Sequence, residues 1–325
     1  MTLSKTVIIT GGNAGLGYAC AKHIALLEPN CQIVIAGRSQ ERIASAAHQL
    51  SRETGRDVFI PLQLDLGSLD SVQEFAGSLF TLNLPPLYGL ICNAGVQYTK
   101  GIEVSSEGYE ATFAINYLGH FALTLSLLDQ MMPSARIIFL SSISHDDKAT
   151  TPLPKPVLRS AEALASPNLP EGVTIAGFLG RAYTTSKLCI QMLSYELDRK
   201  LKAAGRSDIT VNSFDPGGML TGMTGEWSLS KQRVMKILWP ILRLAPGTST
   251  PEDSGRALAE LMISNRYTGV SGKNFSMPGT YRRRAREKHT SATSYDVTKA
   301  QELWHGSEVL TSIQFALQSS SKPRA

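Results

Sequence analysis

A regular alternation of short apolar runs with longer amphipathic stretches constrains the fold of this chain more than any other feature. The runs are rich in β-branched residues, as in strands buried on both faces of a parallel sheet, and they span 5–10, 32–36, 58–64, 87–92, 136–140 and 209–214. Helical periodicity covers 15–27, 40–53, 68–82, 106–132 and 182–204. This order predicts an α/β protein with a doubly wound parallel sheet and helices on both faces.

The C-terminal part continues the pattern and contains two departures from it. A helix is expected after Thr250, where Thr-Pro-Glu-Asp supplies an N-cap and an early proline, and 269–277 is a candidate last strand. No repeat or linker is visible, so residues 1–325 are interpreted as one domain. The proline-rich segment 145–181 is interpreted as an insertion at the ligand-binding edge of the sheet, with a plain surface loop as an equal alternative.

Composition narrows the classes of protein. The 325 residues are 42% hydrophobic and 18% charged, as in ordinary globular proteins. The net charge of +5 suits an anionic cofactor or membrane surface and does not require nucleic acid, and the basic run at 281–288 is interpreted as a solvated loop. Four scattered cysteines favour free thiols over disulfides or a metal site. With no apolar run near the ~18 residues of a spanning helix, the expected location is the cytoplasm.

A glycine-rich turn follows the first predicted strand, in Thr10-Gly-Gly-Asn-Ala-Gly-Leu-Gly17. Glycine lets the backbone approach a phosphate, and the N-terminus of the next helix offers unpaired N–H groups. The turn is therefore a candidate site for a dinucleotide pyrophosphate. Its spacing differs from the common G-x-G-x-x-G pattern, and a purely structural turn is the alternative.

The end of the second strand indicates which dinucleotide is bound. NAD sites usually place a carboxylate there, whereas this chain has Gly37 followed by Arg38, whose guanidinium can pair with a 2′-phosphate. We therefore expect NADP(H), with a solvated Arg38 as the alternative. Asp65, after the third strand, is expected either to accept from the adenine amino group or to cap the following helix.

Tyr183 and Lys187 lie four residues apart and so share one face of a predicted helix. A free phenol has a pKa of about 10, and a nearby ammonium is expected to lower it toward a useful range for proton transfer. Ser142 ends a predicted strand and can offer a hydroxyl to a substrate oxygen. Asn116 lies within a predicted helix, where its side chain could hold a water, and His120 is interpreted as a packing residue rather than a base.

Taken together, these motifs resemble the short-chain dehydrogenase/reductase family over roughly residues 5–315. The matching positions are Thr10-Gly-x-x-x-Gly-x-Gly17, Asp65-Leu66, Asn93-Ala-Gly95, Asn116, Ser142, Tyr183-x-x-x-Lys187 and Pro216-Gly217 followed by Thr221. The segment from Asn116 to Phe121, with the C-terminal Ser294-Tyr-Asp, is similar to the retinol dehydrogenase and protochlorophyllide reductase-like branch, which also carries an insertion before the tyrosine.

The resemblance implies a Rossmann-type sheet of about seven strands and a role for each matching residue. Tyr183 would be the proton donor or acceptor, Lys187 would hold the nicotinamide ribose, Ser142 would orient the substrate oxygen, and Asn116 would hold a relay water. The residues expected to bind the cofactor are Gly11, Asn13, Gly15, Leu16, Gly17, Arg38, Asp65, Leu66, Asn93, Ala94, Tyr183, Lys187, Pro216, Gly217 and Thr221.

The sequence thus predicts an NADP-preferring oxidoreductase that acts on a carbonyl or alcohol of an apolar small molecule. A reductase of an activated C=C bond and, less favoured, a non-catalytic NADP-binding regulator are the alternatives. Within 221–250, an amphipathic stretch at 234–245 is expected to form a lid over the substrate. The alternatives for the same stretch are packing on the sheet as core or on a partner subunit of a homo-oligomer, and contact of 231–245 with a membrane surface.

Overall fold

Eight strands form one sheet within residues 2–219, 247–279 and 284–316, which are the residues described by the computed structural model. In chain order they are β1 (Lys5–Thr10), β2 (Cys31–Gly37), β3 (Phe59–Gln63), β4 (Leu87–Cys92), β5 (Met131–Leu140), β6 (Thr210–Asp215), β7 (Lys273–Ser276) and β8 (Arg286–Glu287). The spatial order is β3-β2-β1-β4-β5-β6-β7-β8, and every neighbouring pair is parallel except β7 and β8. The predicted doubly wound parallel sheet is confirmed.

The extra strand corrects both the expected strand number and the interpretation of the basic run. β8 lies within 281–288, where a solvated loop was expected, and pairs antiparallel with β7 through Ser276 and Arg286. Both β8 residues are exposed, so the strand adds an edge to the sheet without adding to its core. A two-residue strand with exposed charged side chains leaves no apolar pattern in the sequence.

Strand order reverses between β1 and β4, and this reversal determines where a ligand-binding crevice forms. The chain runs from β1 outward to β3 on one side and from β4 outward on the other. The carboxyl ends of the two central strands, at Thr10 and Cys92, therefore flank the crevice where open α/β sheets bind ligands.

Helices cover both faces of the sheet. They are α1 (Gly15–Leu27), α2 (Gln40–Thr54), α3 (Leu69–Thr81), α4 (Ala111–Phe113), α5 (Gly119–Leu127), α6 (Ala161–Ala165), α7 (Ile175–Ala203), α8 (Pro251–Ile263) and α9 (Val297–Thr311), with a π-helical turn (Ala114–Leu118) joining α4 to α5. The predicted N-cap of α8 is confirmed, since the Thr250 hydroxyl accepts from the Asp253 amide at 3.0 Å. The chain forms α7 from Ile175, well before the predicted start at 182, because Thr174 caps the helix inside the proline-rich segment.

Alternate side chains of β1 enter two separate hydrophobic cores. Val7 and Ile9 pack with α1, α2 and α8, whereas Ile8 packs with α3, α5 and α7 on the other face. The second core also receives α9, whose Trp304 meets Phe121 edge-to-face with ring centroids 5.0 Å apart. The four cysteines are buried and free, as expected.

One stretch, Ala111–Gln130, is long and apolar enough to cross a membrane, which corrects the expectation that no apolar run approaches that length. In the fold, 83% of its most apolar window is buried against the rest of the chain. Core packing therefore accounts for the apolar composition of this stretch.

The proposed lid at 231–245 and its alternatives lie outside the described residues. The interpretation of residues 1–325 as one domain stays a prediction.

Candidate active site

A cleft of about 600 Å³ opens at the carboxyl ends of the central strands. It brings together most of the residues that the sequence singled out, namely Gly11, Asn13, Gly15, Leu16, Arg38, Asp65, Leu66, Asn93, Ala94, Ser142, Tyr183, Lys187, Pro216 and Gly217. Gly17 and Asn116 do not line the cleft but lie behind its wall. Thr221 lies outside the described residues.

The glycine-rich turn has a backbone that only glycine adopts easily. Gly11 and Gly15 have φ values of +65° and +55°, in the left-handed region. A Cβ on Gly17 would lie 2.5 Å from the Gly11 carbonyl oxygen, so this glycine lets the turn close on the start of α1. The turn therefore presents backbone to the cleft, without side chains in the way.

The N-terminus of α1 fits an anionic group. Its N-cap residue, Ala14, makes no side-chain capping bond, and its first turn contains no acidic residue. By contrast, α2, α3, α7, α8 and α9 are each capped by a Ser, Thr or Asp side chain. The free N–H groups and helix dipole of α1 therefore point at the cleft and can bind phosphate there.

Asn93 fastens this turn to β4. Its side-chain amide donates to the carbonyl oxygens of Thr10 at 2.7 Å and Gly11 at 3.3 Å. The Thr10 hydroxyl in turn accepts from the backbone amides of Asn93 and Ala94, each at 2.9 Å. These hydrogen bonds hold the carboxyl ends of β1 and β4 together at the base of the cleft.

Gly37 has a packing reason to be glycine as well as an electrostatic one. A Cβ there would lie 2.9 Å from Ile43 Cγ2 and 3.2 Å from Asn13 Oδ1. The next residue, Arg38, is exposed and lines the cleft. Asp65 is not the cap of α3, because Ser68 caps that helix, whereas Asp65 Oδ1 accepts from the Gly67 amide at 2.9 Å.

Tyr183 and Lys187 lie on α7 and face the end of β5. Both are buried, with 8% and 6% of their surfaces exposed, and Lys187 Nζ is 5.8 Å from the centre of the Tyr183 ring. The ammonium donates a 2.9 Å hydrogen bond to the carbonyl of Leu140. Ser142, two residues further along the chain, lies close enough to the Tyr183 phenol for its hydroxyl to lower the pKa of that phenol. The three polar groups therefore meet at one point of the cleft.

The pKa of the Tyr183 phenol differs from the sequence prediction. Burial raises the pKa of Tyr183 to about 12, although the Ser142 hydroxyl acts in the opposite direction. Burial also lowers the pKa of Lys187 to about 8, while the carboxylate of Asp215 raises it. The expected lowering of the phenol pKa is therefore not found, because desolvation exceeds the other effects on the phenol.

Asp215 was missed at the sequence level, although it directly precedes the Pro216-Gly217 motif. It ends β6 and is 4% exposed. Its Oδ1 accepts from the Gly217 amide at 3.1 Å, and its carboxylate raises the pKa of both Tyr183 and Lys187. Only the pairing of β5 with β6 brings this charge to the site.

The Asn116 side chain does not face the cleft. Its amide nitrogen donates to the Val96 carbonyl and the Ser186 hydroxyl, each at 3.0 Å, and its oxygen accepts from the Val96 amide at 2.7 Å. Both N–H groups are therefore used by the protein, which argues against the expected water-holding role of this side chain. Asn116 instead joins the loop after β4 to α7.

The proline-rich insertion contributes to the cleft. Thr151, Pro152 and Leu153 line it together with Val96 and Met219. Further along the insertion, the Val157 amide donates to the Thr185 hydroxyl at 3.0 Å, which attaches this segment to α7. Of the two interpretations of the insertion, the structure therefore favours a site-forming segment over a plain surface loop.

The sheet order and this cleft define a doubly wound α/β protein of the dinucleotide-binding class. Residues 5–151 match the sequence profile of a family described as short chain dehydrogenase. Retinol dehydrogenase 13 from Homo sapiens is 31% identical over 318 residues, covering 95% of this chain and 85% of the relative. The chain therefore belongs to the short-chain dehydrogenase/reductase family, as the motifs indicated.

Two further comparisons concern a relative and a solved structure. Polyprenol dehydrogenase from Homo sapiens is 29% identical over 316 residues, which are 95% of this chain and 86% of the relative. The solved structure of Pseudomonas aeruginosa RhlG in an active-site complex with NADP has a TM-score of 0.61 and 22% identity, and the match covers 84% of this chain and 94% of that one. The second similarity concerns the fold alone.

Proposed function

We propose that this protein is an NADP(H)-dependent oxidoreductase that transfers a hydride between the nicotinamide and a carbonyl or alcohol of an apolar small molecule. The observation that carries the proposal is that the glycine-rich turn and the Ser142–Tyr183–Lys187 cluster line one cleft. The glycine-rich turn suits a pyrophosphate, and the three side chains of the cluster suit proton transfer to a substrate oxygen.

The described residues fit this cofactor. The uncapped N-terminus of α1 suits the pyrophosphate, and the exposed Arg38 suits a 2′-phosphate. At the other end of the cleft, Lys187 suits the nicotinamide ribose. NADP in the solved structure of RhlG supports the same choice of cofactor by analogy of fold.

The chemistry divides between the cofactor and the side chains. NADPH supplies the hydride for the carbonyl carbon. Ser142 and Tyr183, whose hydroxyls are close enough to influence each other, together hold the carbonyl oxygen, and Tyr183 donates its proton to that oxygen. With a pKa near 12 the phenol carries its proton at neutral pH, as reduction requires. With a pKa near 8, Lys187 stays mostly protonated at neutral pH and stabilises the phenolate that forms.

The walls of the cleft support an apolar substrate. Val96, Leu153 and Met219 are among the residues that line it. The two relatives whose similarity extends over 95% of this chain are named for polyprenol and retinol, and both compounds are isoprenoid alcohols. We therefore propose an isoprenoid or similarly apolar primary alcohol, or its aldehyde, as the substrate class.

A panel of aldehydes tests the proposal. Loss of NADPH absorbance is followed with retinal, farnesal and a small aromatic aldehyde, each with NADPH and with NADH, and with Tyr183→Phe as the inactive reference. We expect turnover with the isoprenoid aldehydes and preference for NADPH. Binding of NADPH without consumption of any aldehyde would instead favour the regulator.

Product analysis separates carbonyl reduction from C=C reduction. NADPH deuterated at the transferred position is supplied with farnesal, and the product is examined by NMR. Deuterium on the alcohol carbon is expected. Deuterium on a chain carbon of a saturated aldehyde would favour the alternative reductase and reject the proposed reaction.

A further inference from the structure

His120 is a buried titratable residue to which the proposed reaction assigns no role. It lies at the second position of α5, one helical turn after Asn116, and is 1% exposed. Its Nδ1 is 3.0 Å from the Asn116 carbonyl oxygen, and its Nε2 is 3.0 Å from the Thr10 hydroxyl oxygen. One imidazole thus bridges the π-helical turn that contains Asn116 and the strand that precedes the glycine-rich turn.

The two partners define the tautomer of the ring. Burial lowers the pKa of His120 to about 4, so the imidazole is neutral. A carbonyl oxygen can only accept, so the proton lies on Nδ1, and Nε2 accepts the proton of the Thr10 hydroxyl at 3.0 Å, closer than the other acceptor within reach of that hydroxyl, the Ile91 carbonyl oxygen at 3.3 Å. The Thr10 oxygen is then free to accept the Asn93 and Ala94 amides, as observed at 2.9 Å each. Every hydrogen bond in this set has a donor and an acceptor.

The network continues on both sides of the ring. On one side, Thr10 directly precedes Gly11, and both carbonyls are held by Asn93. On the other side, Asn116 donates to the Ser186 hydroxyl at 3.0 Å, and Ser186 donates to the backbone carbonyl of Tyr183 at 2.8 Å. His120 therefore stands midway between the cofactor turn and the residue proposed to move the proton.

We propose that His120 is a positioning residue that holds the glycine-rich turn and the Asn116–Ser186–Tyr183 segment in one fixed relation. Its two nitrogens have separable tasks, because Nε2 orients the Thr10 hydroxyl and Nδ1 fixes the Asn116 carbonyl. It is not an acid or base in the reaction, since both nitrogens are engaged by the protein. The kinetic part of this inference rests on the proposed function, whereas the cofactor-affinity part does not.

Two amide substitutions test the two tasks separately. The nitrogen of an asparagine side chain can take the place of Nδ1, whereas the oxygen of a glutamine side chain can reach the place of Nε2. His120→Asn therefore keeps the contact with Asn116 and loses that with Thr10, and His120→Gln does the reverse. Thr124→Val is the matched control, because Thr124 is buried one turn later on α5 and its hydroxyl contacts the Cys92 thiol, 3.8 Å away.

The measurements are the NADPH dissociation constant, kcat with farnesal, and the melting temperature of each variant. We expect His120→Asn to raise the dissociation constant about tenfold, more than it lowers kcat, and His120→Gln to lower kcat about tenfold, more than it weakens NADPH binding. His120→Leu, which removes both hydrogen bonds, should both weaken NADPH binding and lower kcat. Thr124→Val should lower the melting temperature alone.

The outcomes are decisive either way. Equal effects of the Asn and Gln variants, or lower melting temperatures with unchanged NADPH affinity and kcat, would show a merely structural histidine and overturn the inference. If the unmodified protein consumed no NADPH with any aldehyde, the proposed function would fail. The affinities would still decide the role of His120, because weaker NADPH binding in His120→Asn than in Thr124→Val supports it and equal binding overturns it.

Discussion

Lys187 Nζ donates a 2.9 Å hydrogen bond to the carbonyl oxygen of Leu140, the last residue of β5. This bond ties the middle of α7 to the strand end from which Ser142 follows. The distance between Tyr183 and Ser142 is therefore set by the main framework of the fold rather than by a loop. The same contact keeps the lysine in a buried position, where its pKa falls to about 8.

The first prediction concerns this buried charge in the cofactor-free protein. Below pH 8 the lysine is protonated in both states, so the cost of burying its charge is fully present. Between the folded pKa of about 8 and the ordinary value of 10.5, the unfolded chain keeps a proton that the folded protein has lost. Stability therefore rises with pH in this window. Relative to Lys187→Met, the free energy of unfolding should rise by about 2 kcal/mol from pH 8 to pH 10.

Urea unfolding of both proteins across this window provides the measurement. The comparison with Lys187→Met removes the contribution of other groups, and the window ends below the range in which unfolded tyrosines ionise fully. A constant difference between the two proteins from pH 8 to pH 10 would show that Lys187 titrates near its ordinary pKa instead.

The second prediction concerns the proton donor. Tyr183→Phe removes only the hydroxyl, so NADPH should bind with nearly unchanged affinity while kcat falls by more than about a hundredfold. Stopped-flow reduction of an aldehyde and fluorescence titration with NADPH give the two quantities. Tyr195→Phe is the matched control, because Tyr195 is buried on the same helix but bonds Thr290 at 2.9 Å. Near-normal turnover of Tyr183→Phe would identify another group as the acid.

The sequence could predict the elements whose pattern depends only on burial. The predicted spans 5–10 and 87–92 coincide with β1 and β4, and 15–27 coincides with α1, because each is an apolar segment with polar or glycine boundaries. The early start of α7 could not be predicted, since prolines upstream concealed the cap at Thr174.

For the site, the sequence could predict most of the residues that meet but not their pKa values. The spacing of Tyr183 and Lys187 places them on one helix face, and strand ends place Ser142 beside them. The pKa values depend on how far β5, β6 and the insertion exclude water, which is a property of tertiary packing. Likewise, the use of the Asn116 amide by Val96 follows from a loop path that leaves no periodic signal.

The third prediction concerns the choice between NADPH and NADH. Arg38→Gln removes the charge proposed to pair with the 2′-phosphate, so the NADPH dissociation constant should rise about tenfold, a modest value because Arg38 is exposed. Affinity for NADH should change less than about twofold. Arg52→Gln, an exposed arginine at the far end of α2, serves as control. Equal losses for both cofactors would argue against a 2′-phosphate contact. Gly37→Asp is a poorer test, because its Cβ would lie 2.9 Å from Ile43.

The fourth prediction concerns the insertion and rests on the packing of Pro154 against Gly180. A Cβ on Gly180 would lie 2.7 Å from Pro154 Cδ, and neither the proline ring nor the helix can yield easily. Gly180→Ala should therefore displace Pro154 and, with it, the neighbouring Leu153 that lines the cleft. We expect KM for farnesal to rise about fivefold, as for the loss of one apolar contact, while the affinity for NADPH stays within about twofold.

Two variants separate this effect from a general loss of helix stability. Gly77→Ala makes the same substitution in α3, where a Cβ meets no atom within 4 Å and should only favour the helix. Adding Pro154→Ala to Gly180→Ala removes the clashing ring atoms, so KM for farnesal should return toward that of Pro154→Ala alone. Because the contact is steric, the two substitutions must be non-additive. Simple addition of their effects would mean that Gly180 and Pro154 act on the cleft independently, and that the insertion does not shape the substrate site through this contact.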